Sequence, residues 1–407
     1  CMGSPAIAHS RSFTTIGTPA NGARERVASC ARASARAASK RRWMSALSDG
    51  LTRSIAEIAA STISPADTAP LRNACACDVA SPASASWSTR RDYARSLSTV
   101  KVLAAVDKFR GTATAAEVAR AIGHACWEAG HECVELPMAD GGEGTLDALG
   151  GPTRTTVVTG PLGDPVEAQW RFHRDTAVIE MARASGLALA GGRDANDAVA
   201  ASTTGTGELV DAALDLGARR IIVCVGGSAT TDGGLGAVRA IAAPARLRGV
   251  EFLVACDVRT RFVDAARVFA PQKGASAAQV RFLEARLERT AELYREQFGV
   301  DVRSLEGAGA AGGLAGGLAA LGARLVSGFD LVADEVEFDD RLREADYVVT
   351  AEGLLDEGSF DGKVVGSVVA ASRERGVRVG VVCGDRADPL PAEADGLAVQ
   401  SLVGCVG

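Results

Sequence analysis

The chain has no long apolar run, few aromatics and few histidines. No stretch of its 407 residues approaches the roughly 20 apolar positions a membrane helix needs, so nothing here predicts a span. Aromatics make up only 4% against 47% apolar residues overall, and the balance falls to Ala, Gly and Val, which suits a soluble α/β protein. The four histidines (His9, His124, His131, His173) do not cluster, and no G-x-S-x-G elbow occurs, which argues against a hydrolytic triad. A Walker G-x-x-x-x-G-K-[ST] is also missing. The ten cysteines lack paired spacing; Cys75-Ala-Cys77 has no second half with which to bind zinc, and Cys224, Cys256 and Cys383 read as reduced thiols in apolar strands.

Charge is present but unevenly spread. Residues 1–98 hold 13 Lys and Arg against 6 Asp and Glu, whereas the rest carries 31 against 44. An acidic main body argues against a broad nucleic-acid footprint. The basic, Ser- and Arg-rich first 98 residues read as a disordered or non-native extension. A transit peptide and a nucleic-acid-binding tail with steep salt dependence are the competing expectations.

From Lys101 onward, buried-strand runs alternate with helical patterns, the signature of βα units and largely parallel sheets. Val102 to Val106 is the first such run. Thr114 and Glu117 then form a T-x-x-E capping box before Val118, Ile122 and Ala125. Acids follow strand after strand: Asp107, Asp140, Asp232, Asp257, Glu352 and Asp385. Ligands of parallel α/β sheets bind beyond these strand ends.

The segment IIVCVGGSATTDGGLGAVRAI, residues 221–241, ends a buried strand in four glycines, three hydroxyls and one carboxylate. Backbone N–H groups of Gly226, Gly227 and Gly233, with the hydroxyls of Ser228 and Thr230, predict a phosphate cradle. Asp232 would repel a bare phosphate, so a divalent metal is expected between them. Gly309 and Gly312 lie in a second donor-rich loop, and Glu352 to Lys363 forms a third. Lys108, Arg110, Lys273 and Lys363 are the cations available to neutralise a transferred phosphoryl group. Gly307-x-Gly309-x-x-Gly312 matches a dinucleotide fingerprint literally, but no buried strand precedes it.

The motifs VDKFRGTATAAEVARAI, PMADGGEGT, TGPLGDPVEA, AVIEMARASGL, STTGTGEL, GGSATTDGG, ACDV, FAPQKGA, GAGAAGGLAGGL and AEGLLDEGSFDGK follow in this order. Together, over about Val100 to Asp385, they closely resemble the bacterial glycerate kinase family, the two-domain type that phosphorylates D-glycerate with ATP. The resemblance implies a Rossmann-like parallel-sheet domain (99–153 and 320–407) with a second α/β domain inserted (154–319). It also implies a cytoplasmic enzyme, monomeric or homodimeric, that uses ATP and Mg2+ in an inter-domain cleft without nucleic acid or membrane. The product would be 2-phosphoglycerate or, alternatively, 3-phosphoglycerate.

On this reading Asp107, Arg110, Asp140 and Asp257 are catalytic, and Lys108, Arg110 and Ser185 bind substrate. Gly226, Gly227, Ser228, Thr230, Gly233, Gly309, Gly312, Lys273, Glu352 and Lys363 bind the nucleotide, and Asp232 with Asp257 holds the metal. Several positions depart from the family pattern. Asp107-Lys108-Phe109-Arg110-Gly111 stands where many members read Asp-Ser-Phe-Lys-Gly. Thr231 replaces an Asn, and Ala351 a Gly. The segment from Arg239 to Val250 is short. The chain also stops some 30 to 40 residues early by the family's measure, which predicts reduced stability. These departures motivate the competing expectation of an inactive homologue that binds a small phosphorylated ligand.

Overall fold

A computed structural model describes residues 99–403. The expectations for residues 1–98 lie outside the described residues. Among the described residues, eleven strands form two sheets. The first has the order β11-β10-β9-β1-β2 and is parallel throughout. Its members are β1 (Lys101–Val106), β2 (Glu132–Pro137), β9 (Tyr347–Leu355), β10 (Arg378–Arg386) and β11 (Ala398–Ser401). The second runs β3-β4-β5-β6-β7-β8, from β3 (Arg154–Thr159), β4 (Pro165–His173), β5 (Thr176–Glu180) and β6 (Arg220–Cys224) to β7 (Glu251–Ala255) and β8 (Arg324–Val326). β8 lies beyond residue 319 and still pairs with β7, so the second sheet reaches past the limit expected for the inserted segment.

Crossover helices follow from caps and periodicity. Helix α1 (Ala115–Glu128) begins with the expected capping box: Thr114 accepts from the Glu117 N–H, and Glu117 returns to the Thr114 backbone. Its buried face is Val118, Ala119, Ile122 and Ala125, packed on β1 and β2.

β6 shows why its sequence is apolar without alternation. Ile221, Val223 and Val225 face one core with Leu209, Leu314 and Leu318. Ile222 and Cys224 face another, shared with Leu103, Met138, Phe329 and Val348 around the first sheet. A strand buried on both faces has no polar side to show. The second core joins elements of both sheets, and truncating one of its large members, such as Leu103, would cost about 2–5 kcal/mol.

The second sheet is not purely parallel: β3, β4 and β5 run antiparallel. β4 and β5 are joined by Arg174 and Asp175, both at positive φ (50° and 66°), as in a type I′ turn.

Candidate active site

The carboxyl ends of strands from both sheets open into one cavity of about 550 Å³. β1 delivers Lys108 and Arg110, β2 delivers Asp140 to Glu143, β6 delivers Val225 to Ser228, and β7 delivers Ala255 to Val258. Phe269, Gln272, Lys273, Leu187, Ala310 and Ala311 complete the wall. The loops touch through glycine. A Cβ on Gly226 would come within 2.6 Å of the Gly142 Cα, and one on Gly328 within 2.1 Å of the Asp140 carbonyl. Only glycine lets these backbones close the cavity floor.

Asp257 follows β7 on the cavity wall. Its Oδ1 accepts from the Gly328 N–H at 2.8 Å, at the start of the helix Gly328–Glu335. Its Oδ2 is buried without a hydrogen-bond partner. Burial, opposed by the Gly328 N–H and reinforced by nearby Asp140, pushes its carboxyl up to about 7. Asp140 accepts from the Gly142 N–H at 3.1 Å.

Asp107 pairs with Lys108, whose Nζ stands 3.5 Å from its Oδ1, and burial raises its carboxyl to about 6. Lys273 is 3% exposed and donates from Nζ to the Ser228 Oγ (2.7 Å) and the Thr230 carbonyl (2.6 Å). Burial lowers its ammonium to about 7, although Asp232 opposes that shift.

The structure thus brings Lys108, Arg110, Asp140, Asp257, Gly226, Gly227, Ser228 and Lys273 around one space, with Asp107 directly behind Lys108. Other expected site residues are not on that wall. Asp232 is spent on structure: its Oδ2 accepts from the Thr203 N–H, the Thr203 hydroxyl and the Gly236 N–H, and its Oδ1 from the Gly234 N–H. These four donors hold the carboxylate within the fold, and Asp232 does not line the cavity.

Ser185 is fully buried, shares a 2.9 Å hydrogen bond with Thr206 and does not line the cavity. Thr230 is fully buried, and only its carbonyl serves the wall, through Lys273. Gly233, Gly309 and Gly312 pack tightly against their neighbours: added Cβ atoms would meet Phe262 at 3.0 Å, the Arg261 carbonyl at 2.4 Å and the Thr230 carbonyl at 2.0 Å. Glu352 lies within β9 and Lys363 occupies the N-cap position of the helix Val364–Glu374; neither lines the cavity.

The sequence reading missed Glu180. Buried at the end of β5, it accepts from the Gly144 and Leu146 N–H groups (2.9 and 2.8 Å) and from Arg183. A carboxylate of the second sheet thereby fixes the loop of the first that presents Asp140. Its signal was its place after an apolar strand run, the same signal that marked the other acids.

The residues fit a divalent cation. Among the described residues, no three His, Cys, Asp or Glu side chains converge as a closed metal cage. Two carboxylates, one with a buried unpartnered oxygen, nevertheless match the donors magnesium takes when phosphate oxygens complete its shell.

Comparison with known sequences and structures agrees with this geometry. The sequence model of the glycerate kinase family matches residues 102–245 and 241–403. The chain belongs to the glycerate kinase family. Similar proteins include an uncharacterized protein of Mycobacterium tuberculosis (42% identity over 303 residues, 71% of this chain and 80% of the relative). The glycerate kinase of Halalkalibacterium halodurans is 38% identical over 328 residues (70% and 85%). The glycerate 2-kinase of Escherichia coli is 38% identical over 305 residues (65% and 80%). A crystal structure assigned provisionally as glycerate kinase 2 of Salmonella typhimurium LT2 superposes with a TM-score of 0.63 at 33% identity, covering 75% of this chain and 90% of that one.

Within this glycerate kinase family member, the two matched segments meet at residues 241–245, inside the segment expected to be short. No helix among the described residues is long and apolar enough to cross a membrane. The described cysteines, including Cys224, Cys256 and Cys383, are free, and Cys256 lies on the cavity wall.

Proposed function

We propose that this chain transfers the terminal phosphoryl group of ATP to a hydroxyl of D-glycerate in the cavity between the two sheets, forming 2-phosphoglycerate, with 3-phosphoglycerate as the alternative product. The observation that carries the reading is the convergence of Asp140, Asp257, Lys108, Arg110 and Lys273 with the glycine turn at Gly226 on one space. Phosphoryl transfer is catalysed mainly by positioning and charge neutralisation, and these residues supply both.

The Gly226-Gly227-Ser228 backbone and Lys273 would hold nucleotide phosphates. Lys108 and Arg110 would bind the glycerate carboxylate, Arg110 with a two-pronged grip. Asp140 and Asp257 are the residues that would hold magnesium, which when bound would neutralise charge developing on the transferred group. Asp107 does not line the cavity, so this reading gives the orienting of the attacking hydroxyl to Asp140 or Asp257.

The test is ADP release from ATP and Mg2+ with D-glycerate, using L-glycerate and glycerol as controls and phosphorus NMR to identify the product. D-glycerate-dependent turnover supports the proposal, and the ester's chemical shift separates the two products. A folded protein whose melting temperature rises with ligand but which releases no ADP would instead be an inactive homologue.

A further inference from the structure

A second cavity, of about 370 Å³, lies away from the active-site wall, against the β4–β5 hairpin. Strand register explains its lining. Arg171 pairs across from Val178, and His173 across from Thr176, so these four side chains share one face of the hairpin. That face continues into the core through Val178, which sets an apolar floor beneath a cationic rim. Arg174, at the turn, adds a second guanidinium.

The charges on this rim are not cancelled. Among the described residues, neither Arg171 nor Arg174 has a carboxylate partner. Arg171 is instead held by two neutral acceptors, its Nη1 donating to the Gly150 and Gly151 carbonyls at 3.0 and 3.1 Å. The acid on the lining, Glu335, is already ion-paired with Arg220, which also meets Glu251 at 3.0 Å. Two guanidiniums lining a half-open cavity, half-buried Arg171 and exposed Arg174, have no carboxylate partner among the described residues; with an imidazole and a hydroxyl beside them they match a phosphate group in charge and donor chemistry.

We infer that this cavity is a second anion site, taking a small phosphate monoester or free phosphate independently of the active site. Arg171 and Arg174 grip the phosphate oxygens, Thr176 and His173 donate beside them, and the apolar floor receives a short carbon skeleton. The anion competes with the Gly150 and Gly151 carbonyls for Arg171. Those carbonyls follow directly on the one-turn helix Thr145–Ala148, whose preceding loop carries Asp140 and Glu143 on the active-site wall.

The site is read by equilibrium dialysis of the full chain with radiolabelled inorganic phosphate and, in a second arm, labelled glycerol 3-phosphate. Arg174→Asn keeps a residue tolerant of the positive φ there and removes the charge; Arg171→Gln is the companion variant, and circular dichroism checks that both fold. Each is expected to weaken one class of phosphate binding at least tenfold. Lys273→Met, on the active-site wall, should leave that class unchanged.

Tighter binding of the ester than of inorganic phosphate would mark phosphate esters as the ligand, and equal binding would mark free phosphate; both uphold the site. Phosphate binding that survives Arg174→Asn and Arg171→Gln with unchanged stoichiometry and affinity overturns the inference, as does loss of all phosphate binding in Lys273→Met. The readout needs no turnover, so it stands whether or not glycerate is the substrate.

Discussion

Two glycine-dense loops follow parallel strands in this molecule, and each carries one aspartate, yet the two acids have opposite fates. Asp140, after β2, lies on the cavity wall and, among the described residues, accepts from the Gly142 N–H alone. Asp232, after β6, is 8% exposed and accepts four hydrogen bonds from Thr203, Gly234 and Gly236. Both stand in the pattern that predicts a ligand site. The two carboxylates differ in how many protein donors are already aimed at them. Asp257 extends the first case, since one of its oxygens is wholly unpartnered.

The comparison breaks most sharply in turnover. Asp257→Asn keeps an oxygen for the Gly328 N–H and removes the charge, so the fold is expected to survive while kcat falls at least a hundredfold, about 2.7 kcal/mol of barrier. Steady-state rates beside a thermal melt check it. A loss below tenfold would remove Asp257 from the chemistry.

Asp232→Asn should do the reverse, with damage that appears first as stability. The amide can offer an oxygen to one side only, so its NH2 must face donors that Asp232 now satisfies. Losing such charge-assisted bonds in a buried setting costs about 1.5–3 kcal/mol each at most, and the melting temperature should fall by several degrees. An unchanged melt with lost activity would return Asp232 to the metal site.

The donors that surround Asp232 were hidden from sequence reasoning for a physical reason. Thr203, which supplies two of its donors, is 29 residues away, and only the fold brings it in. Local signals fared better: the Thr114 cap, the strand runs and the loops at their ends were all legible because each is set by near neighbours. The β4–β5 hairpin was missed for the converse reason. Its turn uses Arg174 and Asp175 at positive φ where Asn-Gly would have announced it. The glycines were read correctly as loop-formers. Whether a glycine faces a ligand or a neighbouring backbone, as Gly312 faces Thr230, depends on the partner strand and is invisible in one dimension.

Lys273 sharpens the contrast from the basic side. Its folded pKa of about 7 lies below its ordinary value, because burial disfavours the ammonium. Between about 7 and 10.5 the unfolded chain therefore binds more protons than the folded one, so stability should rise with pH through this window. Lys273→Met has no such proton to lose and should flatten the rise, seen as melting temperature against pH. The same variant should raise the KM for ATP about tenfold, on the proposal that the amine holds phosphate. A flat wild-type profile would show that Lys273 is better solvated than its burial suggests.

Glu352 gives the smallest expected effect and the opposite sign. It is 8% exposed, its Oε1 has no partner, and burial pushes its carboxyl up to about 7, against the Ser359 hydrogen bond and Lys363 and with added repulsion from Asp107. Between about 4.5 and 7 the folded state holds the extra proton, so its contribution to stability is complete below 4.5 and is lost as pH rises through 7. Glu352→Gln carries no charge at any pH and keeps a group able to bond Ser359. It should therefore melt close to wild type at pH 5 and roughly 2 °C or more above it at pH 8. If the two profiles instead run parallel, Glu352 is ionised in the fold with Lys363 as its counter-charge.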